Sequence, residues 1–306
     1  MATRVRRLAL LACFAVAGAT TALAQPVTVR DDRGVEQRFA EPPRRVVTLL
    51  PSLTEAVCAM GACERLVGTD RYSNWPESVA ALPRLGGLDD AVVERIVALR
   101  PDVVLAASST RAVARLESLG LRVLAFDSDR HEQVRSTLQR LGALLATPGR
   151  ADALWARIEQ EIDQAAARVP PALRGRTVYF EADSTPYAAG EVSFVGQTLA
   201  RLGLVNIAPA AMGAFPRLNP EFVVRSQPHV VIAVQRNAQE MRARPGWAGL
   251  PALREGRVCA LEPARYEVLV RPGPRLGEAA LRMADCLAAM PARAALPDTT
   301  TGQAAR

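Results

Sequence analysis

The chain has 306 residues, enough for about two domains at the usual ~100–200 residues each. With 49% hydrophobic and 23% charged residues it fits a globular protein with a core, which excludes disordered and collagen-like chains. All 38 basic residues are arginines, so mechanisms that need a lysine, such as Schiff-base or P-loop chemistry, are excluded. The two histidines, His131 and His229, lie far apart in sequence and exclude a histidine-rich zinc site.

The first 24 residues have the pattern of a secretory signal peptide. Three arginines precede an apolar stretch over 8–18, which is too short to span a bilayer, and Ala22–Ala24 is a small-residue cleavage site. We therefore predict export to the periplasm and cleavage between Ala24 and Gln25. The alternative is a lipoprotein, because Leu10–Cys13 is a loose lipoprotein box.

The exported chain has a small positive excess and four cysteines. The formal charge of +7 falls by three without the arginines of residues 1–24, and the sequence has no arginine run with interleaved aromatics. A nucleic-acid partner is therefore not expected. An oxidising compartment permits disulfides, but four cysteines allow three pairings, among which the sequence does not choose. The cysteines are Cys58, Cys63, Cys259 and Cys286.

Strand and helix patterns alternate through the first half of the chain. Short apolar runs predict strands at 46–50, 66–68, 103–106 and 123–126. Ser52-Leu53-Thr54-Glu55 has the form of a capping box, which predicts a helix from there to about Gly61. Another helix is predicted around 111–119. Such alternation is typical of a parallel sheet covered by helices.

A long helical pattern follows, and then the alternation resumes. Residues 132–169 are almost continuously helical in pattern, with one break at 147–149, and Pro170 and Pro171 end the helix. The remaining elements are predicted as strands at 177–180, 230–233 and 258–261, helices at 195–202 and 276–290, and a disordered polar tail at 294–306.

One unit occurs twice in the sequence. Residues 94–106 and 221–233 match without a gap at Glu, Val, Pro, Val, Val and Ala, in the order helix, proline, buried strand. The fold class is therefore predicted as α/β, with two similar parallel-sheet lobes joined by one long helix. The predicted lobes are 25–148 and 171–293, and the connecting helix is 149–170.

Motifs of the common enzyme classes are missing from the sequence. It contains no GxSxG, GxGxxG or Walker pattern. His131 follows Asp127-Ser128-Asp129, but no nucleophile is marked, so we interpret it as a surface histidine at a helix start and His229 as structural. Cys58 and Cys63 have the spacing of neither a CxxC redox site nor a zinc site. We predict no catalytic residue, no metal site and no cofactor.

Several motifs occur in one order along the chain. They are residues 44–55, residues 67–76, Leu85-Gly86-Gly87 and the two repeated units. With the export signal, the two lobes and the connecting helix, they resemble the class of periplasmic binding proteins that serve iron-siderophore, haem and cobalamin importers. The resemblance covers roughly residues 44–290. It implies a non-enzymatic, monomeric solute-binding protein with a rigid connecting helix, whose interlobe cleft captures a metal chelate and delivers it to an inner-membrane ABC permease.

Within this class, Tyr72–Pro76 is most similar to the cobalamin-binding branch. The resemblance implies a cleft in which aromatic side chains cover the flat faces of the chelate. Phe215 stands where the branch has tryptophan, and Glu267 with Arg271 matches its polar pair from the C-terminal lobe. The ligand-binding residues implied in this way are Tyr72, Trp75, Tyr187, Phe215, Glu267 and Arg271.

The chain also departs from this branch. Leu88 and Ala107 stand where it has two further tryptophans. Cys286 matches one half of a disulfide whose other half, near 199–203, is absent. The expected ligand is a cobalamin or related corrinoid, with a ferric siderophore or haem as the alternative. The alternative from another class is an exported enzyme on the same two-lobed scaffold. Glu267 would be its candidate acid/base residue.

Two glutamates are expected to contact the permease. Asp89 or Asp90 can cap a helix that carries Glu94 in its first turns. Asn219 and Pro220 form an N-cap and N1 pair that places Glu221 near N2. The resemblance implies that both glutamates bind arginines on a twofold-symmetric permease. The alternative is that each only complements a helix dipole.

Overall fold

The computed structural model describes residues 26–183 and 187–291. The predicted signal peptide and its cleavage site, the lipoprotein alternative and the tail 294–306 lie outside the described residues. Within the described ranges, no helix combines the length and the apolar composition needed to cross a bilayer.

The N-terminal lobe is built on a four-stranded sheet of order β4-β3-β5-β6, in which every neighbouring pair is parallel. An antiparallel hairpin, β1–β2, precedes it and was not predicted from the sequence. The elements are β1 (Val27–Arg30), β2 (Glu36–Phe39), β3 (Val46–Thr48), α1 (Pro51–Ala59), β4 (Leu66–Thr69), α2 (Val93–Ala98), β5 (Val103–Ala107), α3 (Val113–Ser118), β6 (Val123–Phe126) and α4 (His131–Leu144).

A single long helix, α5 (Pro148–Arg168), leads to the second lobe. Its 21 residues span about 30 Å at 1.5 Å per residue. Leu154, Ile158 and Ile162 lie on its buried face, as their four-residue spacing predicts. The helix ends at Arg168, just before the two prolines, which cannot continue it.

The C-terminal lobe is built on a five-stranded sheet. Its parallel strands run β9-β7-β10-β11, the counterpart of β4-β3-β5-β6, and β8 pairs antiparallel with β7. The elements are β7 (Thr177–Asp183), β8 (Tyr187–Ala188), α6 (Phe194–Arg201), β9 (Val205–Asn206), α7 (Pro220–Ser226), β10 (Val230–Val234), α8 (Gln235–Glu240), α9 (Pro251–Arg254), β11 (Val258–Leu261), α10 (Pro263–Leu269) and α11 (Leu276–Ala288).

The repeat seen in the sequence is a repeat of structure. In each lobe a short helix, α2 or α7, leads into the strand paired on both sides, β5 or β10. Arg100 and Gln227 occupy equivalent positions after these helices, and both have φ of 44°. Left-handed backbone is uncommon for residues other than glycine, so the same unusual helix end recurs in both lobes. The predicted α/β class with two parallel-sheet lobes is confirmed.

The two lobes share one hydrophobic core through α5. Leu105 of the first sheet and Ile232 of the second belong to the same buried apolar cluster as the inner face of α5, and α5 packs against α4 and α11. Each sheet packs a smaller core on its other face. Because interiors are close-packed, bending α5 would open this continuous core, which is the physical basis for a stiff connection.

Two predicted helix caps are wrong. The helix α1 begins at Pro51, because proline is favoured at the first helical position, so Ser52 and Glu55 lie inside the helix and form no capping box. The helix α2 begins at Val93 without a side-chain cap. Asp90 instead accepts a hydrogen bond from the Gly87 N–H at 2.8 Å.

The structure pairs all four cysteines. Cys58 bonds Cys63 at the end of α1, with a Cα separation of 4.1 Å. Cys259 of β11 bonds Cys286 of α11, with a Cα separation of 5.9 Å. Of the three pairings that the sequence left open, the structure thus forms Cys58–Cys63 with Cys259–Cys286. Cys286 bonds a cysteine of β11 in place of the partner that is absent near 199–203.

Candidate functional site

Two adjoining cavities lie where the strands β3 and β4 end. Loops at the carboxyl ends of parallel strands form the usual binding crevice of open α/β sheets. One cavity, of about 420 Å³, is lined by N-lobe residues that include Leu88 and Asp89. The other, of about 350 Å³, reaches Glu267 and Arg271 of the C-terminal lobe. Both cavities are lined by Leu50, Pro51 and Tyr72.

Tyr72 is the most exposed large side chain in this wall, at 62%. Its backbone is held by the buried Asp70, whose carboxylate accepts the Tyr72 N–H at 2.7 Å and the Ser73 hydroxyl. The Ser73 hydroxyl also lies 2.7 Å from the Thr54 hydroxyl of α1. Burial raises the pKa of Asp70, although these hydrogen bonds oppose the rise. This turn therefore presents the Tyr72 ring to the cavities on a fixed backbone.

The other predicted aromatics divide into two groups. Trp75 follows Tyr72 by three residues, is 41% exposed and lines neither cavity, and the Arg275 guanidinium covers its ring at 5.0 Å from the centroid. Phe215 packs against Phe194 at 5.9 Å between ring centroids. Tyr187 neighbours this segment through its bridge to Arg217. Neither Tyr187 nor Phe215 lines the two cavities beside Tyr72, and their role in ligand binding stays a prediction.

Arg271 is buried between the lobes. Its Nη1 donates to Glu55 Oε1 at 2.9 Å and to Asn74 Oδ1 at 2.7 Å. Its Nη2 donates to the Tyr72 carbonyl at 3.2 Å and to Glu267 Oε2 at 2.8 Å. Both terminal nitrogens of Arg271 therefore have protein acceptors, and Arg271 and Glu267 bind each other and the Tyr72 segment. Both residues also line the smaller cavity, and their role in ligand binding stays a prediction.

Glu55 is a residue that sequence reasoning misassigned. It is 1% exposed, and Arg275 Nη1 lies 3.6 Å from the same oxygen that accepts from Arg271. Burial raises the pKa of Glu55, and the two arginines oppose the rise. No local pattern marks this role, because the Arg271 partner lies 216 positions along the chain.

His131 also joins the two lobes. Its ring Nε2 lies 3.0 Å from the Phe194 carbonyl and 2.9 Å from the Thr198 hydroxyl, both on α6. The backbone N–H of His131 donates to the side-chain oxygen of Gln197, also on α6. Trp155 of α5 meets the ring edge-on. The interpretation of His131 as a surface residue is wrong, although it does begin a helix.

The His131 contact predicts a pH dependence of stability. Burial lowers the pKa of His131, and the charge of Arg201 lowers it further. The hydrogen bond to Phe194 and the charge of Glu159 raise this pKa and so oppose the effect of burial. A lowered pKa means that the unfolded chain binds the proton first, so this stability is complete above about pH 6.5 and is lost as the pH falls. We expect His131→Gln to lose less stability than the wild type in urea unfolding as the pH falls from 8 to 5, because the variant lacks the buried imidazole that resists protonation. The same pH dependence in the variant and in the wild type would contradict the assignment.

The two predicted docking glutamates occupy equivalent exposed positions. Glu94 is the second residue of α2, and Glu221 is the second residue of α7. The Asn219 side chain accepts the Glu221 N–H at 2.9 Å, which confirms the predicted N-cap. Within the described part of the chain, no cluster of three or more histidine, cysteine, aspartate or glutamate side chains could hold a metal ion.

Comparison with known proteins places this architecture in a family. The periplasmic binding protein family model matches residues 46–264. The chain is 25% identical to the "uncharacterized ABC transporter substrate-binding lipoprotein YvrC" of Bacillus subtilis (strain 168), over 86% of this chain and 85% of that protein. It is also 25% identical to the vitamin B12-binding protein of Yersinia pestis (strain Pestoides F), over 82% of this chain and 89% of that protein.

A solved structure agrees with these relatives. The periplasmic haem-binding protein RhuT from Roseiflexus sp. RS-1, in apo form, has a TM-score of 0.69 to this chain at 25% identity, with 80% of this chain and 98% of that chain covered. The fold, the repeated lobes and a family match over more than half of the sequence lead to one conclusion. The chain belongs to the periplasmic binding protein family, and the relatives named above are substrate-binding proteins rather than enzymes.

Proposed function

We propose that this protein is the periplasmic solute-binding component of an ABC importer and that its cargo is a flat metal chelate, a corrinoid in first place. The observation that carries the proposal is the exposed Tyr72 ring on its fixed turn, with Leu49, Leu50, Pro51 and Leu88 around it. An aromatic ring among aliphatic side chains covers the face and edge of a macrocycle at low entropy cost. The vitamin B12-binding relative supports the same cargo.

Charges near the cavities favour a ligand without carboxylates. Arg71 pairs with Asp90, and Arg111 Nε lies 3.0 Å from Asp89 Oδ1. These arginines are matched by carboxylates, and Arg271 is engaged by protein acceptors. A corrin rim carries neutral amides, which backbone and paired side chains can bind, whereas the haem rim carries two carboxylates that need unpaired cations.

Haem is the second candidate, because Tyr72 itself supports it. A tyrosine phenolate is a known axial ligand of haem iron, and the Tyr72 ring is exposed. The haem-binding protein RhuT shares the fold. Ferric siderophores remain the alternative cargo of the same class.

Parallel titrations separate these cargoes. Cyanocobalamin, dicyanocobinamide, haemin and ferrichrome would each be titrated while tryptophan fluorescence is followed. We expect saturable quenching by the corrinoids, and we expect Tyr72→Ala to weaken their binding by about 1–3 kcal/mol, the scale of a large aromatic contact. Tyr72→Phe is the matched control, since it keeps the ring: it should preserve corrinoid affinity but remove any tyrosinate–haem absorption band. Binding of an iron compound alone would overturn the corrinoid proposal, and equal affinity of Tyr72→Ala and wild type would remove Tyr72 from the site.

Delivery completes the proposal. The exported protein would work as a monomer in the periplasm after removal of residues 1–24, and Glu94 and Glu221 would orient it on the permease. Complementary charges at such a contact raise the association rate and fix the register more than they raise affinity.

A further inference from the structure

The segment 70–76, here called the ligand loop, belongs to the N-terminal lobe but is held by the C-terminal lobe. Arg271 donates to the Tyr72 carbonyl at 3.2 Å and to Asn74 Oδ1 at 2.7 Å. The Asn74 side chain donates in turn to Glu267 Oε2 at 2.9 Å, and the same oxygen accepts from Arg271. A closed set of hydrogen bonds therefore joins the ligand loop to the end of α10 and the residues after it.

A second arginine, Arg275, contacts the same loop four residues later in the chain. The Arg275 guanidinium lies over the Trp75 ring at 5.0 Å, while its Nε binds Glu278 Oε2 at 2.8 Å. A guanidinium held by a carboxylate can stack on an aromatic ring, which orients that ring. Two C-lobe arginines thus contact three of the five residues from Tyr72 to Pro76.

Glu55 ties both arginines to the helix beneath the loop. Its Oε1 accepts from Arg271 at 2.9 Å, with Arg275 at 3.6 Å. Its neighbour in α1, Thr54, lies 2.7 Å from the Ser73 hydroxyl. The loop is therefore supported by α1 on one side and by the arginines on the other. The charges of Glu55 and the two arginines are buried, so removing one of them would leave another without its partner.

We propose that Arg271, Arg275 and Glu55 are positioning residues that fix the ligand loop between the lobes, so that the C-terminal lobe sets the orientation of the Tyr72 ring. The expected effect of these residues on cargo binding rests on the proposed function, whereas their effect on the mobility of the ligand loop does not. Arg271 donates to four acceptors from its two terminal nitrogens. A lysine keeps the charge opposite Glu55 but cannot reach these acceptors together, because its ammonium is a single point.

Hydrogen exchange of the ligand-free protein tests the positioning directly. In Arg271→Lys, we expect the amides of residues 72–75 to exchange about tenfold faster than in wild type, because local opening becomes easier. Arg33→Lys is the matched control: Arg33 binds Asp31, Glu117 and the Val123 carbonyl, all remote from the loop. Asn74→Ala removes one loop acceptor of Arg271 and leaves its ion pairs with Glu55 and Glu267, so it tests the same contact if Arg271→Lys does not fold. Unchanged exchange in the folded variants would overturn the proposal.

A double-mutant cycle with cyanocobalamin as the probe separates positioning from direct contact. If Arg271 acts through Tyr72, Arg271→Lys should weaken binding about tenfold in wild type and have almost no further effect in Tyr72→Ala. Additive losses would show that Arg271 touches the cargo itself and would overturn the positioning role. If cyanocobalamin does not bind the wild-type protein, the corrinoid proposal fails, while hydrogen exchange still decides between a held and an independent loop.

Discussion

Transport should be abolished in the double variant Glu94→Arg with Glu221→Arg, while cargo affinity and fold stay as in wild type. Each glutamate is exposed at the second position of its helix, at equivalent sites of the two lobes. Two matched charges suit a permease with twofold symmetry, and reversing both creates two repulsive contacts at the same interface. Cargo binding to the purified variant and uptake by permease-containing vesicles are the two measurements.

The control for this experiment must carry the same charge change elsewhere. Glu132 is the exposed second residue of α4, so it has the same relation to a helix dipole as Glu94. Glu132→Arg with Glu240→Arg should leave transport intact and cost about 0.3–1 kcal/mol of stability for the helix-dipole contact. Normal transport by the folded Glu94/Glu221 variant would refute docking. Loss of cargo binding in that variant would mean that the two glutamates belong to another surface.

The largest loss of stability is expected from Arg271→Met. Glu55 would keep only Arg275, at 3.6 Å, for a carboxylate that is 1% exposed. Removing one partner of a buried ion pair leaves an uncompensated charge, which costs about 3–5 kcal/mol, and urea unfolding would measure it. The deficit should shrink as the pH falls, because burial raises the pKa of Glu55 and the protonated group no longer needs a cation.

Two further variants define the cause of that loss. Glu55→Leu with Arg271→Met removes both charges, so most of the stability should return. Arg168→Met is the matched control at an exposed pair: its guanidinium lies 3.0 Å from Asp285, and both side chains are about half exposed. Such a pair is worth about 0–1 kcal/mol. If Arg271→Met costs no more than Arg168→Met, the interlobe pair has no special role in stability.

Local patterns in the sequence were sufficient for most of the secondary structure and for the repeat. The spacing of Leu154, Ile158 and Ile162 predicts the buried face of α5, since helical neighbours are fixed by a 3.6-residue period. Asn219 caps α7 as predicted, because an N-cap bond involves residues two positions apart. The capping box at Ser52 is wrong because a competing local signal, Pro51, starts the helix two residues before the Leu53 that a Ser52 cap would imply.

Patterns among residues close together in the chain were thus enough to predict the α/β class, the two lobes, the connecting helix and the resemblance to the family. Contacts between distant residues were needed to establish the disulfide partner of Cys286, the contact of His131 with α6 and the burial of Arg271 against Glu55. The disulfide depends on the packing of β11 against α11 within the C-terminal lobe, whereas the His131 and Arg271 contacts depend on how the two lobes meet. Glu55 and Arg271 are 216 positions apart, and no periodicity or capping rule reaches across such distances.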